Sequence, residues 1–264
     1  MEDFAIRLIV LRKIDAHAHL DEPSLDWFAK NLRNFDGLSV ISDSVDIHSS
    51  SRNIELAANC DSIIPFIGIH PEIFARPENA KTTHEKLDEM IATLGEIVKF
   101  ARGIGEIGLD PTYGIMKDQE YLLRGILTLV EGSRIPITFH CRETIGRILD
   151  LVSTFNLRSK ILFHWFAGTE SELKKLHAGG IYSSFGPSIL FSKRMAGLVK
   201  YSDPRFILAE TDAPTAFRSL IDAPSTPFLV DSVAFKIGLI LCISYQEACQ
   251  LLENNATRYL LTQD

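Results

Sequence analysis

The sequence predicts an α/β fold, a (β/α)8 TIM barrel, on three observations. Eight short β-rich runs recur at a fairly regular pitch, helical patterns fill the gaps between them, and several runs are apolar almost throughout. Ile63-Ile64-Pro65-Phe66-Ile67-Gly68-Ile69 is one such run. Continuous apolarity is what a parallel strand buried on both faces requires. Strand then helix, eight times over, points to a closed barrel rather than an open sheet.

In chain order the strands are expected at Lys13–His17, Leu38–Ser42, Ile63–Ile69, Gly103–Ile107, Pro136–His140, Lys160–His164, Ile181–Phe185 and Phe206–Thr211. The helices between them are expected at Ser24–Asn34, Ser51–Asn59, His84–Arg102, Gln119–Arg134, Gly146–Phe155, Glu170–Gly179 and Ser192–Tyr201. After the eighth strand a proline-interrupted loop, Ala213–Pro227, leads to two helices near Leu229–Cys242 and Tyr245–Leu261. The second of these opens with Ser244 and Glu247 in the S-x-x-E spacing of a capping box. No repeat, low-complexity segment or linker interrupts the chain. Barrels of about 250 residues are single domains, so residues 1–264 are expected to form one.

Of the 264 residues, 46% are hydrophobic and 23% charged, which excludes a disordered or collagen-like chain. A core of this size buries roughly three quarters of the unfolded surface, so folding requires no disulfide or oligomer. The 27 basic and 34 acidic residues give a net charge of −7. That balance argues against a protein that grips long duplex DNA with a basic stripe. Short nucleic acids or small anions stay open where positive charge is local or supplied by metal. Cys60, Cys141, Cys242 and Cys249 form no C-x-x-C pair and read as apolar fillers in a reducing compartment. No apolar run approaches the ~18 residues of a membrane span. Met1-Glu2-Asp3 is acidic where a signal peptide is basic, and Arg7 interrupts Ile6–Leu11. A cytoplasmic protein with no membrane attachment and no stable partner protein is expected.

The residues able to do chemistry gather at strand ends. His17 and His19 form an H-x-H at the end of the first strand, where alternation puts both imidazoles on one side. His70 follows the third strand and Glu106 lies on the fourth, while His140, His164 and Asp212 end the fifth, sixth and eighth. Polar residues at the carboxyl ends of barrel strands converge on one mouth. Imidazoles with carboxylates there form a ligand set suited to Zn²⁺, Mn²⁺, Fe or Ni rather than Ca²⁺. His48, His84 and His177 lie in polar or helical surroundings and read as surface residues.

Six segments, in order, resemble the TatD-like metal-dependent deoxyribonucleases of the wider amidohydrolase superfamily. They are Ile14-Asp15-Ala16-His17-Ala18-His19-Leu20-Asp21, Gly68-Ile69-His70-Pro71, Gly105-Glu106-Ile107-Gly108-Leu109-Asp110, His140-Cys141-Arg142-Glu143, Phe163-His164-Trp165-Phe166-Ala167-Gly168 and Glu210-Thr211-Asp212-Ala213-Pro214. The resemblance implies that His17, His19, Glu106, His140, His164 and Asp212 hold up to two divalent ions (Zn, Mg or Mn), with Glu106 bridging. It also implies that Asp212 takes the proton of the attacking water, and that the activity is phosphodiester hydrolysis at DNA ends or on single strands. The chain departs from the family pattern at Pro111-Thr112-Tyr113, and at Thr215, Arg218 and Ser225-Thr226-Pro227.

Other roles rest on position. Arg142, two residues beyond His140, is expected either to bind a phosphate or to pair with Glu143 or Glu210. His70 is expected to contact the scissile phosphate or support a ligand. Trp165 and Phe166 stack on a base or pack as a lid, and Glu210 accepts a hydrogen bond behind the ligands. Two rivals stand beside the nuclease reading. One is an amidohydrolase acting on a small amide, ester or lactone; many of these use a carboxylated Lys on strand four, where this chain has Glu106. The other is an inert barrel serving as a binding partner, which need not retain all six ligands.

Overall fold

The computed structural model describes residues 11–76, 83–215 and 224–261. Eight parallel strands follow one another around a single sheet in the order β1 to β8. They are β1 (Lys13–Ala18), β2 (Leu38–Ser42), β3 (Ile63–Ile67), β4 (Gly103–Leu109), β5 (Ile137–Cys141), β6 (Ile161–Phe163), β7 (Tyr182–Phe185) and β8 (Ile207–Ala209). The ring closes just beyond β8. There Asp212 N–H donates to His17 O at 2.8 Å, His19 N–H donates to Ala213 O at 2.8 Å, and Ala18 bridges Ala213. The backbone bonds that shut the barrel therefore lie among the candidate ligands.

The helices are α1 (Asp26–Asn31), α2 (Ile47–Ala58), α3 (His84–Ile97), α4 (Met116–Leu129), α5 (Ile145–Val152), α6 (Glu170–Ala178), α7 (Lys193–Tyr201), α8 (Val230–Leu241) and α9 (Tyr245–Leu260). The predicted first helix shortens to α1 between two 3-10 turns, the first opened by Pro23. The second starts four residues earlier than expected. Asp46 caps it by accepting from Ser49 N–H, and Ser49 Oγ returns a bond to Asp46 N–H. The capping box at Ser244 and Glu247 is present as predicted. No single described helix is long and apolar enough to cross a membrane.

The end of the barrel opposite the mouth is plugged by α9. Tyr259 is wholly buried, its ring 6.1 Å from Phe66 and 5.6 Å from Tyr182, with its hydroxyl 3.0 Å from Thr138 Oγ1. A buried phenol needs such a partner, and here it ties the C-terminal helix to β5.

His177 corrects the sequence reading: it is 5% exposed, not a surface residue. Its Nδ1 accepts from Asp203 N–H at 3.0 Å, and its Nε2–H donates to Ser183 Oγ at 2.9 Å. Both nitrogens are committed only in the neutral ring, and burial, opposed by Asp203, lowers the pKa to about 4. The unfolded chain binds this proton near the ordinary value of 6.5, so it holds more protons than the native state between pH 4 and 6.5. The stabilisation is thus complete above pH 6.5 and lost as pH falls towards 4. His177→Leu is expected to lower stability by about 1–3 kcal/mol at pH 7.5, since a part-buried backbone N–H and the buried Ser183 hydroxyl lose their partner. The gap from wild type should narrow on acidification. Urea midpoints of both proteins from pH 4 to 7.5 check this; a gap independent of pH contradicts it.

Candidate metal centre

The strands deliver the predicted residues to one mouth, a cavity of about 460 Å³. Glu106, on β4 and 3% exposed, lies at the centre with its two carboxylate oxygens facing different partners. Oε2 is 3.4 Å from His17 Nε2 and 3.6 Å from His19 Nε2. Oε1 is 2.6 Å from His164 Nε2, 2.8 Å from His140 Nδ1 and 3.5 Å from His70 Nε2. Asp212 Oδ1 completes the first side, 3.6 Å from His17 Nε2 and 3.3 Å from His19 Nε2. The His17 and His164 rings stack at 3.8 Å, joining the two sides.

Which ring nitrogen carries a proton decides which one can ligate. His17 Nδ1 lies 3.0 Å from Asp43 Oδ2, and His19 Nδ1 lies 3.1 Å from Asp43 O. The Asp43 carbonyl accepts from His19 Nδ1 and leaves that Nε2 lone pair for the centre, and the Asp43 carboxylate facing His17 Nδ1 favours the same tautomer there. His140 is reversed: Asp110 Oδ2, 3.0 Å from Nε2, holds that proton and turns the Nδ1 lone pair inward. His70 is different in kind. Its Nδ1 accepts from Glu72 N–H at 3.1 Å, so in the neutral ring the proton is on Nε2. His70 therefore offers the centre a donor, not a ligand, although it lies close enough to Glu106 and His140 to be grouped with them.

The donor set fits divalent cations. Ligands around a tetrahedral ion with bonds of about 2.0–2.2 Å stand about 3.3–3.6 Å apart. The four contacts among His17, His19, Glu106 and Asp212 run from 3.3 to 3.6 Å. Both ring nitrogens of His17 are buried without a hydrogen-bond partner, and for Nε2, which faces the centre, this costs stability unless something fills it.

Electrostatics agree. Burial opposes charge on His19 and His140, but carboxylates prevail: Asp212 at His19, Asp110 and Glu106 at His140. Both pKa values rise to about 9. The carboxylates call for positive charge, which a bound cation supplies in competition with protons. Burial lowers His70 to about 3, keeping it neutral. Glu210 is pushed by burial up to about 8, and it accepts from Trp165 N–H at 2.7 Å and Ser184 Oγ at 2.5 Å, as predicted.

The remaining predicted residues also reach the mouth. β5 ends at Cys141, yet Arg142, Trp165 and Thr215 line the cavity. Arg142 makes no ion pair among the described residues, which removes the pairing with Glu143 or Glu210. Phe166 is buried in the core, whereas Arg218 lies outside the described residues. Glu143, Trp165 and Asp212 adopt left-handed backbone (φ 57°, 40° and 49°) just past β5, β6 and β8. Such strain in ordinary residues collects at functional sites.

Two residues that sequence reasoning assigned no role hold the candidate ligands in place. Asp43, just past β2, is wholly buried and serves both His17 and His19. It fits only because Gly105 stands opposite: a Cβ there would lie 2.2 Å from Asp43 Oδ1. Asp110 does the same for His140, and its own pKa falls to about 2 against the cost of burial because His140 and Thr112 donate to it.

Comparisons with known proteins agree over the whole barrel. Residues 14–261 match the family described as TatD related DNase. The human "Deoxyribonuclease TATDN3" is 24% identical over 257 residues, covering 93% of each chain. A "3'-5' ssDNA/RNA exonuclease TatD" from Cronobacter sakazakii is 29% identical over 154 residues, 56% of each. Among solved structures, the TatD homolog YJJV from Escherichia coli K12 shares the fold with a TM-score of 0.82 at 23% identity, covering 97% of this chain and all of that one.

Proposed function

Because this chain belongs to the TatD-related DNase family, we propose that it is a divalent-metal-dependent phosphodiesterase acting on DNA ends or single strands. The observation that carries this reading is the two-sided use of Glu106, with His17, His19 and Asp212 on one side and His140 and His164 on the other. One ion of four or five ligands does not need six. The four free cysteines are in keeping with a reducing, cytoplasmic setting.

When bound, two divalent ions would polarise a phosphoryl oxygen and acidify a water. The chain supplies the rest. Asp212 reaches the centre through Oδ1, and Oδ2 has no protein donor among the described residues, so it is placed to take the proton of the attacking water. His70 aims a fixed Nε2–H at the mouth, where it can donate to a phosphate oxygen. Arg142 offers its guanidinium to a flanking phosphate, and Trp165 offers a ring at the rim.

Metal analysis after chelation and reconstitution should find close to two equivalents, with His17→Ala and His140→Ala removing different ions. Saturation at one equivalent, with both variants removing the same ion, defeats the two-ion arrangement. Chelation should stop turnover while far-UV circular dichroism stays intact, because the core holds without metal. A panel of phosphodiester and amide substrates with metal added back tests the reaction class. Cleavage of amides alone overturns the proposal.

Arg142→Ala should raise KM with little change in kcat, and lower the slope of log KM against log salt by about 0.7, the loss of one phosphate contact on a single strand. Kinetics on a short oligonucleotide at several salt concentrations check this; an unchanged slope rules out the contact.

A further inference from the structure

The loop after β4, where the chain departs from the family pattern at Pro111-Thr112-Tyr113, is built around Asp110. Asp110 Oδ1 accepts from Thr112 N–H at 2.8 Å and from Thr112 Oγ1 at 2.6 Å, and Asp110 O accepts from Tyr113 N–H at 3.1 Å. Gln119, buried on α4, closes the loop from the other side. Its Oε1 accepts from Asp110 N–H at 2.8 Å, while its Nε2 donates to Asp110 O, also at 2.8 Å, and to Tyr113 O. Both ends of the amide are therefore spent on backbone. Gly114 sets the exit. Its φ of 75° lies in the left-handed region, and a Cβ there would stand 2.9 Å from Phe74 Cβ, so only glycine lets the loop lie this close to the 3-10 turn Pro71–Ala75.

Tyr113 is thus fixed at its amide and its carbonyl, and its side chain lines the mouth together with His70, Arg142 and Trp165. The ring meets His70 edge-on, with centroids 5.7 Å apart. Its hydroxyl has no protein hydrogen-bond partner among the described residues. Burial, then the carboxylates of Asp110, Glu72 and Glu106, raise the phenol's pKa above its ordinary 10, opposed by Arg142. The group keeps its proton at neutral pH and has nothing in the protein to give it to, which suits a donor awaiting an acceptor.

We infer that Tyr113 donates its O–H to a phosphate oxygen of the bound strand, beside Arg142 and His70. The inference rests on the phosphodiesterase reading and adds a residue to it. Arg142 draws a phosphate by charge, whereas a phenol adds direction without adding charge. Stacking of a base on the ring is the competing use of this residue, and it does not need the hydroxyl.

The test is steady-state kinetics on a short single-stranded oligonucleotide at several salt concentrations, with metal-loaded wild type, Tyr113→Phe and Tyr113→Leu. Metal content and melting temperature are taken on the same samples. Tyr113→Phe keeps the ring against His70 and loses only the hydroxyl. It should raise KM by about tenfold, the value of a hydrogen bond to a charged group, with kcat little changed. The slope of log KM against log salt should stay at the wild-type value because no charge has been removed, which separates this variant from Arg142→Ala. An unchanged KM in Tyr113→Phe overturns the inference, and if Tyr113→Leu alone fails, the ring acts by stacking or packing. A lowered salt slope or metal content in Tyr113→Phe overturns it as well, because the loss then runs through Arg142 or the ions. Wild type that cleaves amides and no oligonucleotide overturns the phosphodiesterase reading and the inference with it.

Discussion

Asp212→Asn is expected to lower kcat by about 10²–10⁴-fold, the range for loss of a positioned base. Asn matches Asp in size and still offers one oxygen to the side of the centre where Oδ1 stands 3.3 Å from His19 Nε2. It cannot take a proton. The backbone tolerates the change, because residue 212 has φ 49° and Asn enters the left-handed region more readily than most residues. Loss of the negative charge weakens metal binding as well, so the measurement is kcat on a short single-stranded oligonucleotide at saturating metal, with metal content determined on the same sample. Near-wild-type turnover with two ions bound refutes the base assignment. Contrast with Arg142→Ala is informative, since that variant should fail in KM and salt dependence.

The gathering of the candidate ligands is legible because a barrel converts a position along a strand into a place in space. His140 and His164 are 24 residues apart, yet each ends a strand, and the barrel puts His164 Nε2 3.5 Å from His140 Nδ1. Residues that act through others carry no such mark. Asp43 stands in Ser42-Asp43-Ser44, which reads as an ordinary polar turn, and its service to His17 and His19 depends on a pairing 24 to 26 residues away in sequence. His177 was hidden for the same reason: its partners on β7 and before β8 are set by tertiary contact, whereas its sequence neighbours suggest a helix end. His70 shows a further limit. Its place at the mouth is readable, but whether it ligates or donates follows from one backbone bond, Glu72 N–H to Nδ1, which no spacing rule reports. Element boundaries slipped where side chains substitute for ladder bonds, as at α2, where Ser49 occupies the capping position usually filled by Glu or Gln.

Glu106→Gln should convert a two-ion centre into a one-ion centre and reduce kcat by about 10²–10⁴-fold, corresponding to the several kcal/mol that a second cation contributes to charge stabilisation. An amide matches the carboxylate in shape, but one of its ends is an NH2 that repels a cation. Acceptors stand on both sides: the Nδ1 lone pair of His140, held inward by Asp110, on one, and the Nε2 lone pair of His19 with the Asp212 carboxylate on the other. Whichever way the amide turns, one ion loses its carboxylate, and the double variants show which. Only one of His17→Ala and His140→Ala, added to the Gln variant, should remove the remaining equivalent. Metal content and melting temperature of the single and double variants decide the matter. Two tightly held ions in Glu106→Gln would show that Glu106 does not bridge.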